Sequence, residues 1–160
     1  MRVGWGIDVH RFGTLPGPVL LGGVAVPADR ALEGTSDADV LTHAVCDALL
    51  GAAALGDMGA YFPSSDPVWH GADSIDMLGH VVEMVEAAGF AVGSIDATVV
   101  AERVRVAPQR EEIRDRLAGV LGVDRTAVSV KATTTDGLGM LGRDEGVAAL
   151  AVAVLAPYQT

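Results

Sequence analysis

Val3-Gly4-Trp5-Gly6-Ile7-Asp8-Val9-His10-Arg11-Phe12 reads as a β-strand, and its polar members decide what the strand presents. Alternate side chains of an extended strand share a face, so Asp8 and His10 can close on one metal ion. A third donor stands in the next polar stretch. His43 follows Ser36-Asp37-Ala38-Asp39 at the start of an apolar helical run, placed to aim its imidazole back at a strand. Two imidazoles and one carboxylate make the donor set of catalytic zinc sites, which leave a fourth position for water or substrate. Spacing alone leaves a second reading open: an Asp–His hydrogen bond in the strand beside a buried helical histidine.

Outward from this strand, Val19–Val26 predicts another beyond the Gly13–Pro18 turn region. Ser36 is expected to cap a helix with Asp37 and Asp39 in its first turn, running to about Leu55 and stopped by Gly56. On it Val40, His43, Ala44, Asp47 and Leu50 share one face. Asp47 is then positioned to orient the His43 imidazole or to hold a second polar contact. A second helix is expected over Ser74–Ala88, closed by Gly89. A third opens at Pro108, buries Ile113, Leu117, Val120 and Leu121, and stops at Gly122. Ala97–Glu102, Val128–Thr134 and Gly146–Leu155 complete the strands. The pattern predicts an α+β fold, a mixed sheet with helices packed on one face. With half the residues hydrophobic, the other face is expected to be covered by a symmetric oligomer.

The 160 residues suit one domain, 1–160, without linker, repeat or low-complexity segment. No run approaches the roughly 20 apolar residues of a membrane span, and Val147–Ala156 is better read as a buried strand. Met1-Arg2 leads straight toward Asp8 and His10 with no secretory pattern, so a cytoplasmic location is expected. The single cysteine, Cys46, excludes an internal disulfide and reads as a small buried hydrophobe. A net charge of −10 argues against nucleic acid as a partner. Lys131 is the only lysine. A bound metal ion would supply the positive charge with which so acidic a chain holds an anionic ligand.

Three further segments carry polar groups. Gly56-Asp57-Met58-Gly59 and Phe62-Pro63-Ser64-Ser65-Asp66 read as a turn-rich loop offering carboxylate, hydroxyl and N–H groups to a ribose or phosphate, or as a plain connection. Lys131-Ala132-Thr133-Thr134-Thr135-Asp136-Gly137-Leu138-Gly139 leaves a strand as hydroxyls ending in a carboxylate. β-Propensity alone would explain three threonines; phosphate and Mg²⁺ contacts would use them. Gly142-Arg143-Asp144-Glu145-Gly146 reads as a turn with a salt bridge.

These blocks, taken in order, resemble the 2-C-methyl-D-erythritol 2,4-cyclodiphosphate synthase family over essentially the whole chain. The resemblance rests on G-x-D-x-H at Gly6–His10, S-D-x-D-x-x-x-H-A-x-x-D-A-L-L-G-A-A-A-L-G-D-x-G at Ser36–Gly59, F-P-x-x-D-P at Phe62–Pro67, and K-A-T-T-T at Lys131–Thr135. It implies Zn²⁺ on Asp8, His10 and His43, and Mg²⁺ or Mn²⁺ on Asp136. Asp57 and Gly59 would hold the ribose beside Met58, and Phe62, Pro63, Ser64, Ser65 and Asp66 the erythritol and phosphate end. Ala101, Arg105, Val106 and Ala107 with Ala132, Thr133 and Thr134 would form a cytidine pocket. Thr134 would steady the diphosphate in the transition state, with Thr135 beside it. Val9, Met140 and Arg143 would also meet ligand. Arg143 and Glu145 correspond to a family pair near a trimer axis, where a central channel accepts phosphate-bearing isoprenoids.

The implied reaction cyclises 4-diphosphocytidyl-2-C-methyl-D-erythritol 2-phosphate with release of CMP, in homotrimers whose sites lie between subunits. No cytidylyltransferase segment is present, so a stand-alone version of an activity sometimes found fused is expected. Three positions depart from the family pattern. Thr35 stands where His is common, which leaves Thr35 and Ser36 a contact role without an imidazolium charge. Asp136 stands for a usual Glu, and Arg105 for a frequent Lys. His70 and His80 match no ligand position. Two other readings compete: a zinc phosphohydrolase with Asp47 as its base, and a trimeric binding protein with a structural zinc completed by Cys46.

Overall fold

The strand expected at the start spans Arg2–Arg11 (β1). It is followed by a hairpin, Val19–Leu21 (β2) and Val24–Val26 (β3), and by the helices Val40–Ala53 (α1), Met58–Tyr61 (α2) and Ser74–Ala87 (α3). Phe90–Val100 (β4), Arg110–Leu121 (α4), Val128–Thr133 (β5), Gly139–Gly142 (α5) and Gly146–Pro157 (β6) complete the chain. This computed structural model describes residues 1–158; the last two residues of the expected 1–160 domain, Gln159 and Thr160, lie outside the described residues.

The main sheet has the order β1-β6-β4-β5, with β4 and β5 parallel and the other pairs antiparallel. It is a mixed sheet in an α+β fold, as expected. α1 packs on β1 and β6, with α3 beside it and against β4. So enclosed, α1 buries residues almost all round, from Val40 and Leu41 to Ala52 and Ala53. Only His43, Asp47 and Gly51 stay open, a stripe at four-residue spacing along the β1 edge. Cys46 is fully buried in this core.

The contact between α1 and β1 is set by glycines. A Cβ on Gly4 would lie 2.2 Å from the Ala48 carbonyl oxygen, and one on Gly6 would lie 2.2 Å from that of Ala44. Gly4, Gly6, Asp8 and His10 share the helix-facing side of β1, and α1 runs antiparallel to the strand. Continuing that register brings His43 over Asp8. The opposite side of β1 carries Val3, Trp5, Ile7 and Val9, all exposed, with Leu150 and Val152 of β6 beside them.

Several boundaries differ from expectation for local reasons. α1 is capped by Asp39, not Ser36, and begins at Val40. The Asp39 carboxylate accepts from the N–H groups of Thr42 (2.9 Å), Gly22 (3.0 Å) and Gly23 (2.6 Å), so this buried side chain ties the hairpin turn to the helix. α1 stops at Ala53, where Ala54 takes the left-handed conformation, ahead of the expected Gly56. Val19–Val26 is two strands around Gly22-Gly23, forming a separate sheet. β4 starts at Phe90, seven residues before the expected Ala97, with a register shift between Val92 and Ser94. Pro108 sits in a 3₁₀ turn, Ala107–Gln109, that leads into α4. No helix among the described residues is long and apolar enough to cross a membrane.

Candidate metal centre and binding pockets

The three predicted donors converge. Asp8 Oδ2 lies 2.9 Å from His10 Nε2 and 2.9 Å from His43 Nδ1, and the two imidazole nitrogens are 3.3 Å apart. They form the one group of His, Cys, Asp and Glu among the described residues that could hold a metal ion. Neighbouring ligands of tetrahedral zinc, with bonds of about 2.0–2.1 Å, stand about 3.3 Å apart, so the donor set fits. The face of the triangle opens to a pocket of about 200 Å³, lined also by Thr35, Ser36, Asp47, Met58, Phe62, Ser64, Trp69 and Met77.

Outer contacts orient both imidazoles. His10 Nδ1–H donates to the Glu33 carbonyl at 2.6 Å, which leaves the Nε2 lone pair for the centre. His43 Nε2 meets the hydroxyls of Ser74 (2.8 Å) and Ser36 (3.1 Å), and the Ser74 hydroxyl donates to Asp37. Asp37 also accepts from the Ser74 N–H at 3.0 Å. Burial disfavours a charged Asp8, yet the hydrogen bonds and charges of His10 and His43 outweigh it and hold the carboxyl far below the usual range. Burial likewise disfavours a charged His10, but its bond to Asp8 and the Asp8 charge raise its pKa. The cluster therefore stabilises positive charge among its donors.

Ser74 was not evident from the sequence as a partner of His43, because it opens an ordinary helix 31 residues away. Its replacement by alanine is expected to weaken metal affinity by about 10–100-fold while the fold is retained. Competitive titration with a zinc chelator reads this directly; unchanged affinity would deny Ser74 an orienting part.

Asp47 takes the second of its two expected roles. Its carboxylate accepts the Met58 N–H at 2.8 Å and anchors the segment after α1. That segment holds the short helix α2, capped by Asp57 through Ala60 N–H at 3.1 Å. Asp66 caps the 3₁₀ turn Pro67–Trp69, and Phe62 meets Trp69 edge-on with centroids 4.9 Å apart. Of the predicted erythritol residues, Phe62 and Ser64 line the metal pocket with Met58. Asp57, Gly59, Pro63, Ser65 and Asp66 stand outside its lining.

The predicted cytidine residues gather in a second pocket of about 200 Å³, lined by Ala101, Val104, Arg105, Val106, Ala107, Arg110, Ala132, Thr133 and Thr134. Arg110, missed in the sequence, joins them. Thr134 Oγ1 stands 3.4 Å from Asp136, whose φ of 53° is left-handed. Val9, Met140 and Leu141 line an apolar hollow of about 300 Å³ with Glu145. Beside it, Arg143 Nε pairs with Glu145 at 2.6 Å, the salt-bridged turn expected. Lys131 pairs with Asp96 on the neighbouring strand. His70 and His80 are exposed, away from the metal donors.

Fold and site define a metal-site protein of the two-histidine, one-carboxylate class, its centre open to a pocket and without a cysteine ligand. The chain belongs to the YgbB family, whose model matches residues 1–156. A 2-C-methyl-D-erythritol 2,4-cyclodiphosphate synthase of Salinibacter ruber is 56% identical over 97% of this chain and 98% of its own length. A CDP-bound structure of such a synthase matches with a TM-score of 0.87 and 32% identity, over 97% of this chain and all of that one. The bifunctional IspDF of Campylobacter jejuni matches with a TM-score of 0.94 and 37% identity; 99% of this chain is covered but only 42% of that one.

Proposed function

We propose that the chain converts 4-diphosphocytidyl-2-C-methyl-D-erythritol 2-phosphate to 2-C-methyl-D-erythritol 2,4-cyclodiphosphate and CMP, in the non-mevalonate route to isoprenoids. Its high identity to synthases of that name supports the reaction. An oxygen of the 2-phosphate bonds to the β-phosphorus, and the bond from that phosphorus to the bridging oxygen breaks, releasing CMP. No protein nucleophile is required. The chain's task is to hold two anionic groups in line and exclude competing water.

Asp8, His10 and His43 would hold Zn²⁺, and Asp136 would hold Mg²⁺ or Mn²⁺ with the substrate's own phosphates as further ligands. Bound there, the two ions supply Lewis acidity to the diphosphate oxygens. Thr134 donates to the diphosphate, Thr35 and Ser36 contact the phosphate at the zinc end, and Asp57 and Gly59 bind the ribose. Ala101, Arg105, Val106 and Ala107 with Ala132, Thr133 and Thr134 hold the cytidine.

One observation carries the arrangement of the site. Across the sheet, Asp8 pairs with Ala149, Ala149 with Val99, and Val99 with Ala132. The zinc-type centre and the cytidine-type pocket therefore occupy opposite edges of the sheet, three strand spacings or roughly 14 Å apart. With the two on opposite edges, the family resemblance supports a substrate bound between copies, with the metal donors from one and Ala132–Asp136 from the next. The exposed apolar face of Val3, Trp5, Ile7 and Val9 supports assembly as a homotrimer. In such an assembly the hollow beside Val9 and Met140, with Arg143 at its side, would take a phosphate-bearing isoprenoid. The buried thiol of Cys46 suits a reducing cytoplasm.

Mixing tests the shared site. His43→Ala and Thr134→Ala subunits, each inactive alone, are expected to recover about a quarter of wild-type activity after random reassembly, because one interface in four is intact. CMP should form in equal amount to substrate lost, without inorganic phosphate. Absence of recovery would refute a site built between subunits, and phosphate release would refute cyclisation.

A further inference from the structure

The parallel register of β4 and β5 pairs Val100 with Thr133, and continuing it by two residues sets Glu102 beside Thr135. Glu102 Oε1 accepts the Thr135 N–H at 2.8 Å and lies 3.5 Å from the Gly137 nitrogen. The Thr135 hydroxyl is 3.0 Å from the same oxygen and 2.7 Å from the Leu138 carbonyl, so its proton is fully engaged within the protein. Among residues 131–140, Thr135 alone is half-buried, while Thr134 and Asp136 on either side are exposed. Asp136, with φ of 53°, and Gly137, with φ of 77°, make a left-handed Asp-Gly turn, a conformation that aspartate accepts more readily than most residues. The Glu102 carboxylate gathers N–H donors on both sides of Asp136 and so ties the turn to the end of β4. Those donors, the Thr135 N–H first, hold the Glu102 carboxyl below its ordinary range.

We propose that Glu102 is a positioning residue for the cyclisation, clamping the loop through Thr135 so that Thr134 meets the diphosphate and Asp136 meets the second metal. The proposal rests on the reading of Asp136 given above. On this account Thr135 belongs to the framework of the loop and its hydroxyl does not reach substrate. Glu102 touches neither substrate nor metal; it acts on where its neighbours stand.

The test is the Mg²⁺ dependence of CMP release at saturating zinc and substrate, alongside zinc content and melting temperature. Glu102→Ala is expected to raise the half-activating Mg²⁺ concentration about tenfold, in the range of outer-shell effects, with zinc content unchanged. Glu102→Gln keeps the acceptor oxygen and should stay within about threefold of wild type. Thr135→Val should shift the Mg²⁺ requirement in the same direction, and Thr135→Ser should restore it. These hydroxyl variants carry the test if Glu102→Ala fails to fold. An unchanged Mg²⁺ requirement in Glu102→Ala and Thr135→Val would overturn the proposal. So would a Gln variant as impaired as the Ala variant, since charge on the metal would then be the requirement. Asp136→Ala separates the two layers. If it raises the Mg²⁺ requirement while Glu102→Ala does not, the clamp alone is wrong. If it has no effect, the Asp136 reading fails and the clamp falls with it.

Discussion

Replacing His43 by alanine is expected to strip the purified protein of zinc and to lower turnover by about 10³-fold, the several kcal/mol that a Lewis-acid centre supplies. His43 is held from three sides. Its Nδ1 is 2.9 Å from Asp8 Oδ2, its Nε2 meets Ser74 and Ser36, and α1 rests on β1 at van der Waals contact. Only two donors would remain, and the fully buried Cys46 is not in the donor group. The imidazole is partly exposed and lies outside the apolar core, so the fold should survive its loss. Metal analysis by mass spectrometry, with circular dichroism as the control, separates the two effects. A variant that keeps stoichiometric zinc would contradict the assignment of the centre.

Replacing Gly6 by valine should do the opposite, damaging the fold before the chemistry. The new Cβ would lie 2.2 Å from the Ala44 carbonyl oxygen and 2.7 Å from the Ala48 nitrogen, both in the backbone of α1. Backbone cannot rotate aside as a side chain can, so the helix must lift from the sheet. The cost is at least about 3 kcal/mol, the upper end of ordinary overpacking. That is a large part of the roughly 5–15 kcal/mol by which domains are stable. Gly79 supplies the contrast, since it lies within α3 and a Cβ there meets nothing within 4 Å. Gly79→Ala should be neutral or stabilising by up to about 1 kcal/mol. Urea unfolding midpoints for both variants check the pair. A Gly6→Val protein as stable as wild type would show that the α1–β1 contact is not rigid.

Asp8 and His10 were readable as a pair because strand alternation is strict, and His43 because it opens a helix after a polar loop. The α3 boundaries and the Gly122 stop were legible for the same local reason, a cap or a glycine at the turn. What lay beyond local pattern was not. Gly4 and Gly6 look like weak points of a strand until α1 is laid against them. Asp39 took the capping role expected of Ser36 because only Asp39 also meets the Gly22-Gly23 turn, a contact spanning 16 residues or more. The part of Ser74 behind His43 and of Glu102 behind Thr135 depends on contacts 31 and 33 residues apart. Lys131, conspicuous as the only lysine, is occupied by Asp96 across the strand pair. The carboxylate of Asp47, readable as a neighbour of His43, is turned instead to Met58 N–H.

The most direct measurement is ³¹P NMR of the protein with 4-diphosphocytidyl-2-C-methyl-D-erythritol 2-phosphate, Zn²⁺ and Mg²⁺. Cyclisation at this centre should give the coupled signals of a cyclic diphosphate growing in step with CMP, and neither in the His43→Ala variant. Inorganic phosphate in their place, or conversion undiminished in that variant, would contradict it.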